Sequence, residues 1–264
     1  MAQIDQRFAQ GYGARTDVAV DEGLRAYMLR VYNYMAAGVA LTGLVAYVMF
    51  TYAVTTDPAL AASSGGPALA LHRGMYLTPF GQMIYVSPLK WVIMLAPLGF
   101  VFFLAWRIYQ MSVGTAQIAF WVFAAAMGAS LSSIFLVYTG QSITQVFFVT
   151  AAAFGALSLW GYSTKKDLSG WGSFLIMGVF GIIIAALVNI FLQSSALQFA
   201  ISVIGVLVFA GLTAYDTQRI KDAYYEVAND ATAIAKGAIM GALNLYLDFI
   251  NMFVMLLQLF GRRE

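Results

Sequence analysis

The stretch GAIMGALNLYLDFINMFVMLLQLF, residues 237–260, decides the fold of this chain. It is an apolar run long enough to cross about 30 Å of hydrocarbon, a thickness that needs about 20 residues of helix. Its small and polar residues recur at helical spacing and share one face: Gly237, Gly241, Asn244, Asp248 and Asn251. An unpaired carboxylate at the membrane centre costs at least about 2.5 kcal/mol, so this face must contact protein or water. We therefore expect the stretch to lie inside a helical bundle.

The composition extends this expectation to the whole chain. Hydrophobic residues make up 61% of the 264 residues and charged residues only 10%, against about 25% charged in an ordinary soluble domain. Six further apolar runs precede residue 237, at 34–54, 89–107, 116–138, 143–162, 171–192 and 196–216. Because unpaired backbone groups are not tolerated in lipid, the pattern predicts an all-α integral membrane protein with seven transmembrane helices.

The runs also predict the organisation of the chain. We expect a cytoplasmic tail with an interfacial helix over residues 1–33, a transmembrane domain over 34–261, and an extracytoplasmic loop over 55–88. Ten of the 14 Lys and Arg residues fall on the side of the N-terminus and four on the other. The positive-inside rule then places the N-terminus in the cytoplasm and the C-terminus in the periplasm of a bacterial inner membrane. Arg262 and Arg263 run against this orientation, and a re-entrant last segment would return them to the cytoplasm.

Several classes of function are excluded by composition. A net charge of +2 is too weak a field for nucleic-acid binding. The chain has no cysteine and one histidine, His72, so thiolate sites and histidine metal cages are excluded. We expect His72 to be an ordinary exposed histidine, and we expect the protein to be no enzyme and to hold no cofactor.

Three charged residues lie at or within the predicted spans. Arg107 and Asp216 end the second and sixth spans at similar depth, which favours an ion pair between them. By helical rise Asp248 lies about 10 Å from the level of Asp216, so contact requires tilt or an early start of the sixth span. If the two carboxylates meet, they cannot both ionise easily and would act as a proton switch. Alternatively, Asp216 is a solvated cap and Asp248 a neutral acid hydrogen-bonded to Asn244 or to a Ser or Thr.

Three stretches resemble the Bax inhibitor (transmembrane Bax inhibitor motif) family of small seven-helix membrane proteins, especially its bacterial members. They are KKDLSGWGSF (165–174) continuing to NIF (189–191), AYDTQRIK (214–221), and ALNLYLDFINMFVMLLQLFG (242–261). The resemblance implies six helices surrounding a central C-terminal helix, and a pH-dependent calcium leak with paired aspartates as the sensor. Asp216 and Asp248 match the family's aspartates, and Arg107 looks like its latch arginine.

A function can then be expected for six polar residues of the spans. Asp216, Asp248 and Arg107 would form the pH sensor and gate, and the expected pore-lining residues are Asn244, Asn251 and Thr213. The two aspartates would bind calcium weakly and transiently, because a tight calcium site needs about six to eight oxygens. Calcium is then the permeant ion and not a cofactor. The residues leave open which protonation state conducts.

Three other functions stay open. Bacterial relatives of the family are linked to a membrane-anchored ATP-dependent protease, so the resemblance also allows a non-transporting protein that modulates such a protease or a stress response. One aspartate on each of two consecutive helices is also typical of intramembrane aspartyl proteases. Those enzymes resemble one another in a Gly-x-Gly-Asp motif, whereas this chain has Tyr246-Leu247-Asp248. A proton-coupled carrier is the third alternative.

Overall fold

The computed structural model describes residues 2–61 and 74–263, with side chains from residue 22 onward. In this part of the chain nine α-helices follow one another. They are α1 (Ala2–Ala53), α2 (Pro79–Tyr85), α3 (Leu89–Arg107), α4 (Val113–Leu131), α5 (Ile134–Val137), α6 (Gly140–Ser163), α7 (Ser169–Leu192), α8 (Ser195–Val227) and α9 (Ala231–Phe260).

Seven helical stretches of the described residues are long and apolar enough to cross a membrane. They are Glu22–Ala53, Leu89–Gln110, Val113–Val137, Gly140–Ser163, Ser169–Leu192, Ser195–Val227 and Ala231–Phe260. The predicted all-α membrane protein with seven transmembrane helices is therefore confirmed. The orientation of the chain, the cytoplasmic tail and the side on which the 55–88 loop lies stay predictions.

The last helix, α9, is the most buried of the seven. In its most apolar stretch 67% of the residues are buried, against 39% in α8 and 28% or less in the other five. It packs against α1, α4, α6 and α8, while α3 packs on α4 and α7 packs on α8. The face of α9 that carries small residues packs closely against α8. A Cβ added at Gly241 would lie 3.1 Å from the Ile220 side chain of α8. The ring of six helices around α9 stays a prediction.

Two short segments of the connection after α1 pair with each other beside the end of that helix. Val54–Thr55 pairs antiparallel with Tyr76–Leu77, a ladder of two residues on each strand. Thr78 then caps α2 by accepting a hydrogen bond from a backbone amide of its first turn. Residues 62–73, which include His72, lie outside the described residues, so the expectation for His72 stays a prediction.

Glycines allow the backbones of neighbouring helices to touch. A Cβ at Gly161 of α6 would overlap the carbonyl oxygen of Ala214 in α8. A Cβ at Gly128 of α4 would lie 2.6 Å from the carbonyl oxygen of Thr42 in α1. Within a bilayer, close packing of this kind contributes much of the attraction between helices, because lipid tails are as apolar as leucine.

The α6–α8 contact predicts that alanine substitutions at two glycines of α6 differ strongly in their effect on the stability of the protein. Gly161→Ala should lower the free energy of unfolding by about 1–3 kcal/mol, because the overlapping atom is backbone and cannot move aside cheaply. Gly155→Ala should be neutral or stabilising, since a Cβ there meets no atom within 4 Å. Unfolding in mixed detergent micelles measures both, and equal effects of the two substitutions would contradict the described α6–α8 contact.

Candidate functional site

The two buried aspartates are carried by a helical hairpin. Only residues 228–230 separate α8 from α9. Asp230 starts α9 by accepting a hydrogen bond from the backbone amide of Thr232 at 2.8 Å. At the far end of the hairpin, Ser202 donates its hydroxyl to Gln258 Oε1 at 2.9 Å. These contacts hold α8 and α9 antiparallel in one register.

That register brings Asp216 and Asp248 to within one helical turn of each other. Gly241 lies opposite Ile220, so Asp248 lies level with a point about three residues, or about 5 Å, from Asp216. Side chains in a helix lean toward its N-terminus, and in an antiparallel pair the two carboxyl groups therefore lean toward each other. The gap of about 10 Å expected from the sequence closes, because α8 does not end at Asp216 but continues eleven residues further to Val227.

The carboxyl groups of Asp216 and Asp248 face each other across the α8–α9 contact, close enough to interact directly. Both residues are buried, with 9% and 4% of their surface exposed. Among the described residues, Asp248 Oδ2 is the one buried side-chain oxygen or nitrogen without a hydrogen-bond partner. A carboxylate is only an acceptor, so a hydrogen bond between two carboxyl groups requires that one of them hold a proton.

Arg219, which the sequence analysis did not select, is the cation that lies beside this pair. Its Nη1 is 4.0 Å from Asp216 Oδ1, and its side chain is 62% exposed. The two residues are three apart on one helix, a spacing at which side chains face each other. Asp216 therefore has a carboxyl neighbour toward the interior and a guanidinium neighbour toward solvent.

Arg107 lies elsewhere in this conformation. It is exposed at the end of α3, and the described residues show no ion pair between it and Asp216. Two residues later, Tyr109 accepts a hydrogen bond through its carbonyl oxygen from Lys236 Nζ at 2.9 Å. Lys236 precedes Asp248 by twelve residues of α9, or about 18 Å of helix. The end of α3 is thus held near the beginning of α9, and the latch function of Arg107 stays a prediction.

The three residues predicted to line a pore lie on the same two helices. Thr213 is fully buried and donates its hydroxyl to the Phe209 carbonyl at 2.8 Å. Asn251 donates its amide nitrogen to the Leu247 carbonyl at 2.9 Å, and Asn244 is half-buried. Because both donors are used within their own helices, the Thr213 hydroxyl and the Asn251 amide keep oxygen lone pairs for a ligand. Their pore-lining function stays a prediction.

Two hydroxyl clamps surround the aspartates. In the first, Thr42 of α1 donates to the Ala124 carbonyl of α4 at 2.9 Å and lies 2.6 Å from the Tyr246 hydroxyl. Because the Thr42 proton is used, Tyr246 donates to Thr42. Tyr246 is fully buried and precedes Asp248 by two residues. This clamp joins α1, α4 and α9.

The second clamp joins α1, α6 and α8. The hydroxyls of Tyr32 and Ser158 lie 2.7 Å apart, and those of Ser158 and Thr217 lie 2.8 Å apart. Thr217 donates to the Thr213 carbonyl at 2.7 Å, so the chain of donors runs from Tyr32 to α8. Thr217 follows Asp216 directly, and the clamp therefore fixes the turn of α8 that carries the aspartate.

Gln218 links two of the stretches that carried the family resemblance. Its Oε1 accepts from the Leu168 amide at 2.8 Å, and its Nε2 donates to the Lys166 carbonyl at 2.9 Å. The KKDLS loop is thus tied to α8 two residues after Asp216. Sequence reasoning missed these clamps, although hydroxyl and amide residues within apolar runs are a usable signal because they must find partners in lipid.

Seven apolar helices with a buried carboxyl pair between the last two define a multi-pass α-helical membrane protein. Residues 24–264 match the family described as Inhibitor of apoptosis-promoting Bax1. This chain belongs to that family, the Bax inhibitor family.

Individual relatives agree with this assignment over nearly their whole length. The chain is 45% identical to a protein of Caulobacter vibrioides over 262 residues, which cover 99% of this chain and 98% of the relative. It is 46% identical to protein RP147 of Rickettsia prowazekii over 244 residues, 92% of each chain. It is 43% identical to inner membrane protein YbhL of Escherichia coli over 243 residues, 92% of this chain and 94% of the relative. Together with the seven apolar helices, the last similarity supports a multi-pass inner membrane protein.

The contact between the aspartates can be tested directly, because the chain has no cysteine of its own. A double variant with Asp216→Cys and Asp248→Cys should be joined in high yield by a short bifunctional thiol reagent, since the two side chains touch. Intact mass spectrometry would show one added linker and two lost thiols.

The matched control carries Asp222→Cys with Asp248→Cys, because Asp222 is exposed on the same helix. This control should keep both thiols free or modify each of them separately. Equal linkage in the two double variants would contradict the paired geometry.

Proposed function

We propose that this protein is a pH-sensitive cation leak of the inner membrane, with calcium as the permeant ion and the Asp216–Asp248 pair as its gate. The observation that carries the proposal is that two buried carboxyl groups on neighbouring helices face each other. Such a pair has two arrangements, one with the shared proton and one without it, and the second changes the packing of α8 against α9.

The direction of the pH effect follows from electrostatics. Two carboxylates about 4 Å apart repel each other by about 4 kcal/mol at an effective dielectric constant of about 20. Loss of the shared proton therefore drives Asp216 and Asp248 apart, and α8 with them. The protonated pair corresponds to the compact state described above, and the ionised pair to the conducting state. Flux should rise as pH rises through the titration of the pair.

Two arginines can stabilise the released aspartate. Arg219 already lies 4.0 Å from Asp216 and favours its ionised form. Arg107 at the end of α3 would become a second partner if α8 and α3 approach each other after the pair separates. In the proposal this is the latch contact, and it belongs to the conducting state.

The available ligands favour passage of calcium over storage. Within the described residues no group of three or more His, Cys, Asp or Glu side chains is placed to hold a metal ion. Asp216 and Asp248 supply two carboxylates to the site, whereas a tight calcium site gathers about six to eight oxygens around one ion. Weak binding lets an ion leave as readily as it enters.

Calcium flux into dye-loaded proteoliposomes tests the proposal. The native protein should conduct more at about pH 8 than at about pH 6. Asp216→Asn and Asp248→Asn should each flatten this difference, because an amide neither gains nor loses the shared proton. Arg107→Ala should lower flux at about pH 8 by removing a partner of the conducting state.

The matched control for these variants is Asp222→Asn, which removes an exposed carboxylate from the same helix and should leave the pH profile unchanged. Flux no greater than that of empty liposomes, from protein verified as folded and inserted, would overturn the leak. That result would favour the alternative function, a non-transporting protein that modulates a membrane-anchored ATP-dependent protease.

A further inference from the structure

A cleft of about 720 Å³ lies between α1 and α6, and neither aspartate of the pair lines it. Its volume falls within the usual range of small-ligand sites, about 300–1,000 Å³. Apolar side chains make up most of its lining, among them Met28, Leu29, Met35, Phe154 and Leu159. The second hydroxyl clamp lies in its wall, since Tyr32 and Ser158 also line it. The cleft is therefore an apolar furrow with hydroxyl groups about halfway along.

One end of the cleft is basic. Arg25 lines that end, together with Tyr162 of α6. Lys221 of α8 lies 5.7 Å from the centre of the Tyr162 ring and donates to the Tyr162 carbonyl at 3.0 Å. An ammonium group has three donors, so Lys221 keeps two for a ligand. Within the described residues neither Arg25 nor Lys221 forms a salt bridge.

The dimensions of the cleft match one leaflet of a bilayer. Its lining on α1 runs from Arg25 to Ala36, eleven residues or about 16 Å of helix. The hydrocarbon of a bilayer is about 30 Å thick, so each leaflet contributes about half of that. The length of the furrow is therefore about the thickness of one leaflet. Its cationic residues lie at one end, and apolar side chains line the rest.

We propose that this cleft binds one anionic phospholipid. The phosphate lies between Arg25 and Lys221, and one acyl chain lies along the furrow toward Phe154. Charge complementarity selects the ligand, because basic pockets between transmembrane helices on the cytoplasmic side are recognised sites for acidic lipid headgroups. The proposal does not depend on the leak function, since none of its residues belongs to the aspartate gate.

A substitution at Gly155 can fill the cleft with a side chain. Gly155 lines the furrow, and a Cβ added there meets no atom within 4 Å. Gly155→Leu should therefore place a side chain where the acyl chain lies without disturbing the helix packing. The matched control is Gly181→Leu, a change at an exposed glycine of α7 with the same open surroundings.

Lipid retention by the purified full-length protein tests the proposal. The protein is mixed in detergent with equal amounts of phosphatidylglycerol and phosphatidylcholine that carry identical acyl chains, and native mass spectrometry counts the lipids that remain bound. We expect one phosphatidylglycerol to be retained in preference to phosphatidylcholine. Arg25→Gln and Lys221→Gln should each weaken this retention by about fivefold, and Lys90→Gln, at a basic residue outside the cleft, should not.

Gly155→Leu should abolish the retained lipid, and Gly181→Leu should keep it. Equal retention of the two lipids would overturn the assignment of an anionic headgroup. Retention by Gly155→Leu at the native level would place the lipid outside this cleft and overturn the proposal. Because Arg25 and Lys221 are tested by single changes at the edge of the bundle, the headgroup assignment does not rest on the glycine variants alone.

Discussion

The burial of the Asp216 and Asp248 carboxyl groups against each other is the constraint around which the α8–α9 hairpin is built. Two carboxylic side chains on facing helices can remain buried only if a proton lies between them, because desolvation and mutual repulsion both disfavour two charges. In the proposed gate, the tight packing of α8 against α9 therefore depends on one proton. A bilayer makes this condition stricter, since few other partners are available to a carboxylate at that depth.

Close backbone contacts and hydroxyl hydrogen bonds hold the helices on either side of this pair. Gly161 brings the backbone of α6 against α8, and Ser158 and Thr217 join the same two helices through their hydroxyls. Tyr246 anchors α9 to α1 just before Asp248. Asp248 keeps one oxygen without a partner among the described residues. Asp248 Oδ2 therefore lacks a hydrogen-bond partner in this part of the chain, while the hydroxyl groups around the pair have theirs. At such a position a change of protonation has a large effect on packing.

Much of this fold could be predicted from sequence, because hydropathy is a local property and a run of about 20 apolar residues has few alternatives to a membrane helix. The importance of Asp216 and Asp248 can also be predicted. A carboxylate within an apolar run is costly to bury, so its presence there indicates a function. Their contact cannot be predicted, because the hydropathy pattern ends the sixth span at Asp216, whereas α8 continues to Val227. The same pattern hides Arg219, because a residue beyond the end of a predicted span is expected to be solvated. The α1–α6 cleft depends on packing between distant segments and leaves no local signal.

Infrared difference spectroscopy of the native protein in vesicles, titrated from about pH 6 to about pH 8, tests the shared proton most directly. If the pair shares a proton, a protonated-carboxyl band disappears as pH rises. The band should be shifted or lost in both Asp216→Asn and Asp248→Asn and unchanged in Asp222→Asn. A spectrum without such a band throughout the range, or a band that survives both substitutions unaltered, would contradict the proton-sharing pair and the gate built on it.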